Sequence, residues 1–140
     1  MGVRSRGSAL WRFRPQVVPY CASAALVTVR VSQINHCAFC VDINSATLAK
    51  RGVSMEKIGA ISNWRDNAIF EAEESLALEY AEAMTIATRG VDENLRARLK
   101  QQWNDETIVE LTALIAFQNL SSKFNAALDV PPQGFCLLPK

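Results

Sequence analysis

Two cysteines three residues apart, in Cys37-Ala-Phe-Cys40, carry the clearest chemistry in the chain. On a helix such positions share a face, so the two thiols lie close enough to join without large backbone movement. If Cys37 stands at the helix start, the unpaired backbone N–H groups there stabilise its thiolate. Such settings bring a thiol pKa from ~8.5 down to between ~3.5 and ~7.5. A thiolate attacks the O–O bond of a hydroperoxide, becomes a sulfenic acid, and condenses with a neighbouring thiol to a disulfide. The same spacing also suits zinc, and two buried cysteines can simply be small core residues. A structural zinc needs four ligands. Beyond Cys37, Cys40 and His36 only a distant cysteine is at hand, with no second CxxC or HxxxH pair. No metal and no other cofactor is expected.

The neighbours of this pair could supply protons. His36 is the only histidine, so any imidazole base must come from it; the alternative reading is a surface or capping residue. Asp42 follows Cys40 by two positions and falls on a different helical face, which is poor geometry for direct proton transfer. Trp64 and Arg65 follow a helix end and read as packing and ion-pairing residues. Cys21 and Cys136 stand near the termini and read as bystanders. Hydrolase triads, phosphate-binding glycine loops and dinucleotide fingerprints are absent.

The elements that would position these residues are helical. Residues 22–36 are ambiguous, because Val27, Val29 and Val31 alternate with Thr28, Arg30 and Ser32 in strand fashion. The flanking Ala22–Leu26 favours helix and no other segment offers a strand partner, so a helix is predicted. Ala38–Lys50 suits a second helix, stopped by Gly52 in a left-handed conformation. Ser54 can cap a short helix Met55–Ser62. Glu71–Ala87 is amphipathic: Ala72, Leu76, Tyr80, Ala83 and Ala87 form an apolar stripe, with Glu73, Glu74, Glu79 and Glu82 on a wetter side. Asp92 can cap a helix through Trp103, and Asn104 or Asp105 the next. That last helix, Glu106–Leu128, is apolar around much of its circumference through Ile108, Leu111, Leu114, Ile115, Phe117 and Leu120, and Pro131-Pro132 ends it. Such a helix is buried in the domain or at a subunit contact. The prediction is an all-α domain of five or six helices over residues 21–132, between a basic, irregular tail (1–20) and a C-terminal tail (133–140).

Composition agrees. The chain has 140 residues, one domain's worth, with 49% hydrophobic and 21% charged side chains. That excludes a disordered, collagen-like or disulfide-scaffold protein. Residues 1–41 hold Arg4, Arg6, Arg12, Arg14 and Arg30 and no acid, so they stand at +5 and the remainder at −4. Four of the five arginines lie in the first 14 residues, which describes a tail more than a nucleic-acid-binding face. No run approaches the ~20 apolar residues of a membrane span, and the arginines in Met1–Gln16 argue against a secretory signal. An organelle transit peptide, a disordered tail and a misplaced start codon remain open for the N-terminus. The expectation is a cytoplasmic protein without nucleic-acid or membrane partners, in which a CxxC suggests redox or metal chemistry more than a structural staple.

The run from Leu26 to Asn44 resembles the core motif of the carboxymuconolactone decarboxylase family, and more narrowly its alkyl hydroperoxidase D (AhpD)-like branch. The likeness continues through Ser62-Asn-Trp-Arg65, Glu74–Thr85 and Leu111–Asn125 followed by Val130-Pro-Pro, covering roughly residues 25–132. The resemblance implies a helical fold assembled as a homotrimer or homohexamer. It implies a CxxC that reduces hydroperoxides or exchanges disulfides, with electrons from a separate dithiol reductant. By the same resemblance Cys40 is the peroxidatic cysteine and Cys37 its disulfide partner.

Two departures bear on the chemistry. The family's proton relay has a glutamate where this chain has Ala25 and a histidine where it has Asn44. Alanine cannot move a proton, and asparagine can hydrogen-bond but cannot act as a general base. Either His36 or Asp42 substitutes, or peroxide reduction is slow, or a partner chain supplies the base. The competing functions are the decarboxylase or lactone chemistry of the wider family, whose branch generally lacks the CxxC, and a non-enzymatic oligomeric binding protein.

Overall fold

In a computed structural model, residues 22–136 are described. They form α1 (Ala22–Ile34), α2 (Ala38–Lys50), α3 (Met55–Ala60), α4 (Ala72–Thr85), α5 (Glu93–Gln102) and α6 (Asp105–Ala127), with a 3-10 helix, Ile61–Asp66, running on from α3. Among the described residues there is no strand, and no helix is long and apolar enough to cross a membrane. The expectations for the N-terminal tail and for Cys21 lie outside the described residues.

The ambiguous segment is the central helix. Leu26 and Val29 of α1 pack with Leu48, Ile58, Ile61, Trp64, Phe70 and Leu78 on one side. Val27 and Val31 pack with Ala77, Ala81, Leu95, Leu99, Leu111 and Ile115 on the other. A helix buried on two sides is apolar nearly all round, so its valines mimic the alternation of a strand. Two of its hydroxyls are satisfied within the helix, Thr28 Oγ1 donating to the Ala25 carbonyl and Ser32 Oγ to that of Thr28, at 2.8 and 2.6 Å.

The predicted caps and stops hold. Ser54, Asp92 and Asn104 each accept a first-turn N–H, from Lys57, Leu95 and Thr107. Gly52 takes φ 87° just after α2. Trp103 lies one residue beyond α5 instead of inside it.

One expectation needs correction, and full burial of α6 is not met within the single chain. On α4, which ends at Thr85, Ala72 is exposed, as is Ala87 beyond its end, whereas Glu74 and Glu82, on the side expected to be wet, are buried. Each buried carboxylate has compensation that helical periodicity does not reveal. Glu74 accepts from the Glu71 N–H in a capping box and pairs with Lys57 at 2.6 Å. Glu82 is met by Arg30 from α1, Trp64 and Arg65 from the 3-10 helix, and Arg89 beyond α4. On α6, Leu111 and Ile115 are buried, but Phe117 and Leu120 face outward with Val109, Phe124 and Leu128, each 63–65% exposed. This outer stripe is uncovered in the single chain.

Candidate redox site

The turn from α1 into α2 builds the site. The Cys37 N–H bonds to the Ser32 carbonyl and the His36 N–H to that of Gln33, at 3.0 and 3.1 Å, the pattern of a Schellman stop. Its geometry requires a left-handed residue, and His36 fills that place with φ 55°. His36 is exposed and, among the described residues, its imidazole bonds to neither cysteine. Its visible role is to end α1 and redirect the chain.

Cys37 is the N-cap of α2. Its sulfur accepts the Cys40 N–H at 3.1 Å, where a capping Ser or Asp would place oxygen. Cys40 lies in the first turn, and the two sulfurs are joined as a disulfide with a Cα–Cα distance of 5.2 Å. Both residues are buried, Cys37 at 1% and Cys40 at 2% exposure. In the dithiol form the helix N-terminus would favour negative charge on either sulfur. From the far end of α6, Asn125 directs its Nδ2 at the Cys40 sulfur, 3.7 Å away. Eighty-five positions separate the two residues, and nothing local in the sequence marks Asn125 as a partner.

The two relay positions hold no titratable group. Ala25 is a core residue of α1 at 4% exposure. Asn44 donates to the buried Ser32 hydroxyl at 3.2 Å, and Gln118 donates to the same oxygen at 3.0 Å. With its own proton committed to Thr28, that hydroxyl has no further donor capacity. A neutral, hydrogen-bonded belt occupies the place where proton transfer would be expected.

Asp42 has a different partner altogether. Its carboxylate accepts three backbone N–H groups from the segment after α6: Gln133 at 2.9 Å, Phe135 at 3.0 Å and Cys136 at 2.7 Å. The Cys136 N–H contributes most to holding the Asp42 carboxyl below the usual carboxylate range. Phe135 also meets Phe39 edge to face, with centroids 6.4 Å apart. This strap brings Cys136, read from sequence as a bystander, into the wall of a cleft of ≈ 470 Å³ that Cys37, His36, Asp42 and Ser45 also line. Cys136 is a free thiol, raised by burial and then by the Asp42 charge. Cys37, not Cys40, is the member of the pair that faces the cleft. Trp64 and Arg65 lie on Glu82 as packing and pairing residues, as expected.

Residues 23–83 match the carboxymuconolactone decarboxylase family. The chain is 47% identical over 116 residues to the uncharacterized protein YnjA of Escherichia coli (strain K12), a match covering 83% of this chain and 64% of that one. It is 31% identical over 104 residues to the uncharacterized protein YdfG of Bacillus subtilis (strain 168), covering 74% and 71%. Among solved structures it superposes, with a TM-score of 0.75 and 29% identity, on a protein of unknown function from Agrobacterium tumefaciens that is proposed to be the antioxidant defence protein AhpD. That match covers 79% of this chain and 76% of the other. A motif match running from the central helix through the cysteine pair into α4, together with this helical likeness, places the chain in the carboxymuconolactone decarboxylase family, in its AhpD-like branch.

Proposed function

We propose that the protein is a thiol-dependent oxidoreductase that reduces hydroperoxides at Cys37 and Cys40. The observation that carries this is the disulfide at the N-terminus of α2, with one of its sulfurs in the wall of a cleft. The AhpD-like resemblance makes Cys40, behind Cys37, the attacking sulfur: in the reduced enzyme its thiolate attacks the outer oxygen of the hydroperoxide, the O–O bond breaks, and an alcohol leaves after taking a proton. The Cys40 sulfenic acid then condenses with the Cys37 thiol, releasing water and forming the disulfide. A separate dithiol supplies two electrons and two protons to restore the pair. The AhpD proposal made for the Agrobacterium protein is consistent with this chemistry.

The neutral belt around Asn44 favours a second form of the same reading, in which thiolate formation lacks a dedicated base and turnover is slow. The uncovered apolar stripe of α6 supports self-association, as a homotrimer or homohexamer. The test is hydroperoxide consumption coupled to a dithiol reductant. Cys40→Ser should abolish it, and turnover at the wild-type rate in that variant would remove the proposal.

A further inference from the structure

We propose that Cys136 is a third redox-active thiol, which takes Cys37 from Cys40 as disulfide partner and so carries the oxidised bond from the buried pair to the C-terminal strap. The inference rests on the peroxidase reading only for its purpose, which is to regenerate the site; the exchange itself requires just the three sulfurs. A separate dithiol reductant would otherwise have to reach a disulfide whose two residues are 1% and 2% exposed. The strap offers a way out. Gln133, Gly134 and Phe135 beside Cys136 are exposed, and Cys136 itself is half-buried.

Three observations place the reaction. Asp42 stands on the same helix as the pair and binds the Cys136 N–H at 2.7 Å, which ties the thiol to the cleft that Cys37 lines. The Ser45 hydroxyl, also lining this cleft, is buried at 1% exposure and has no hydrogen-bond partner. A buried donor left unpaired is costly, and it suits an oxygen or sulfur atom entering the cleft. Finally, Cys40 is a good leaving group, since Asn125 faces its sulfur and the helix N-terminus stabilises the charge it would carry.

In the step, Cys136 gives its proton to water and its thiolate attacks the Cys37 sulfur. The Cys37–Cys136 bond forms as the Cys37–Cys40 bond breaks. The electron pair departs on Cys40, which is then a thiolate or takes a proton from water. No net oxidation occurs. The external dithiol next attacks the Cys136 sulfur and becomes a disulfide, leaving Cys37 and Cys136 as thiols.

The experiment uses the full chain in a Cys21→Ser background. Cys40→Ser protein is oxidised with diamide, alkylated and digested for mass spectrometry. A Cys37–Cys136 linkage within one chain should dominate, and Asp42→Asn should lower its yield. Recovery of both cysteines alkylated, or linked only between chains, overturns the proposal. In protein that retains Cys40, Cys136→Ser should slow reduction of the Cys37–Cys40 disulfide by thioredoxin about tenfold or more, the advantage of a tethered thiol. Equal rates also overturn it. Hydroperoxide consumption is scored separately, in protein that retains Cys37, Cys40 and Cys136. Linkage without peroxide turnover supports the exchange and sinks only the peroxidase reading, whereas turnover without linkage sinks the exchange alone.

Discussion

Replacing Glu82 by glutamine should cost the fold about 3–5 kcal/mol at neutral pH, because it strips the negative charge from a buried cluster. The Glu82 side chain is fully buried. Arg30 reaches it at 2.7 Å from α1, Trp64 at 3.0 Å from the 3-10 helix, and Arg65 and Arg89 complete the set. Burial alone would push this carboxyl up, but the hydrogen bonds from Trp64, Arg65 and Arg30 and the charge of Arg30 reverse that and bring it from 4.5 to about 2. A depression of that size corresponds to on the order of 3 kcal/mol of stability. Glutamine keeps the shape, but it turns an NH2 group towards the arginines and leaves their charge unopposed, so the loss should reach at least this amount. The sign in pH follows from linkage. Between about 4.5 and about 2 the unfolded chain binds the proton more readily than the folded one, so stability rises with pH across that window. The contribution is complete above about 4.5 and is lost as pH falls through about 2. Urea denaturation followed by far-UV circular dichroism, on both proteins at several pH values, measures it. The gap between wild type and Glu82→Gln should be widest at neutral pH and close towards pH ~2. A gap below about 1 kcal/mol at pH 7, or one that does not change with pH, would refute the argument.

Two further outcomes test the site and the surface. Asn44→His puts an imidazole at the family's relay position, and peroxide turnover near pH 7 should rise by at least about tenfold, short of the ~10²–10⁴-fold a well-placed base supplies, since Ala25 is unchanged. An unaltered rate and pH profile would show that proton transfer there is not limiting. Leu120→Glu sets a charge in the middle of the exposed stripe of α6, where it touches little within the single chain. Sedimentation velocity should show the wild type as an oligomer and the variant as a monomer with its helical content retained; the same sedimentation coefficient for both would refute self-association through α6.

The local features were legible in the sequence because neighbouring residues determine them. Ser54, Asp92 and Asn104 cap helices through bonds to residues three positions on, and Gly52 stops one through its own backbone freedom. The cysteine pair belongs to this class, since a spacing of three on a helix start brings two sulfurs together whatever surrounds them. Where several distant segments converge, periodicity misled. Glu82 falls on the wet side of a helical wheel, which cannot show that Arg30, Trp64, Arg65 and Arg89 arrive from three other places. His36 read as a possible base, yet its clearest constraint is a left-handed turn, which depends on how α1 must end for α2 to begin.

Sequence alone thus determined the helices, their caps and the dithiol, all of which follow from interactions within about one helical turn. Only the tertiary structure decided which carboxylate is buried, which sulfur faces the cleft, and that Asp42 serves the chain's end instead of the cysteines. It also decided that Cys136 lines the same cleft as Cys37. The bond between Cys136 and Asp42 spans 94 residues, and so long a loop closes only when a packed fold has already paid its entropy.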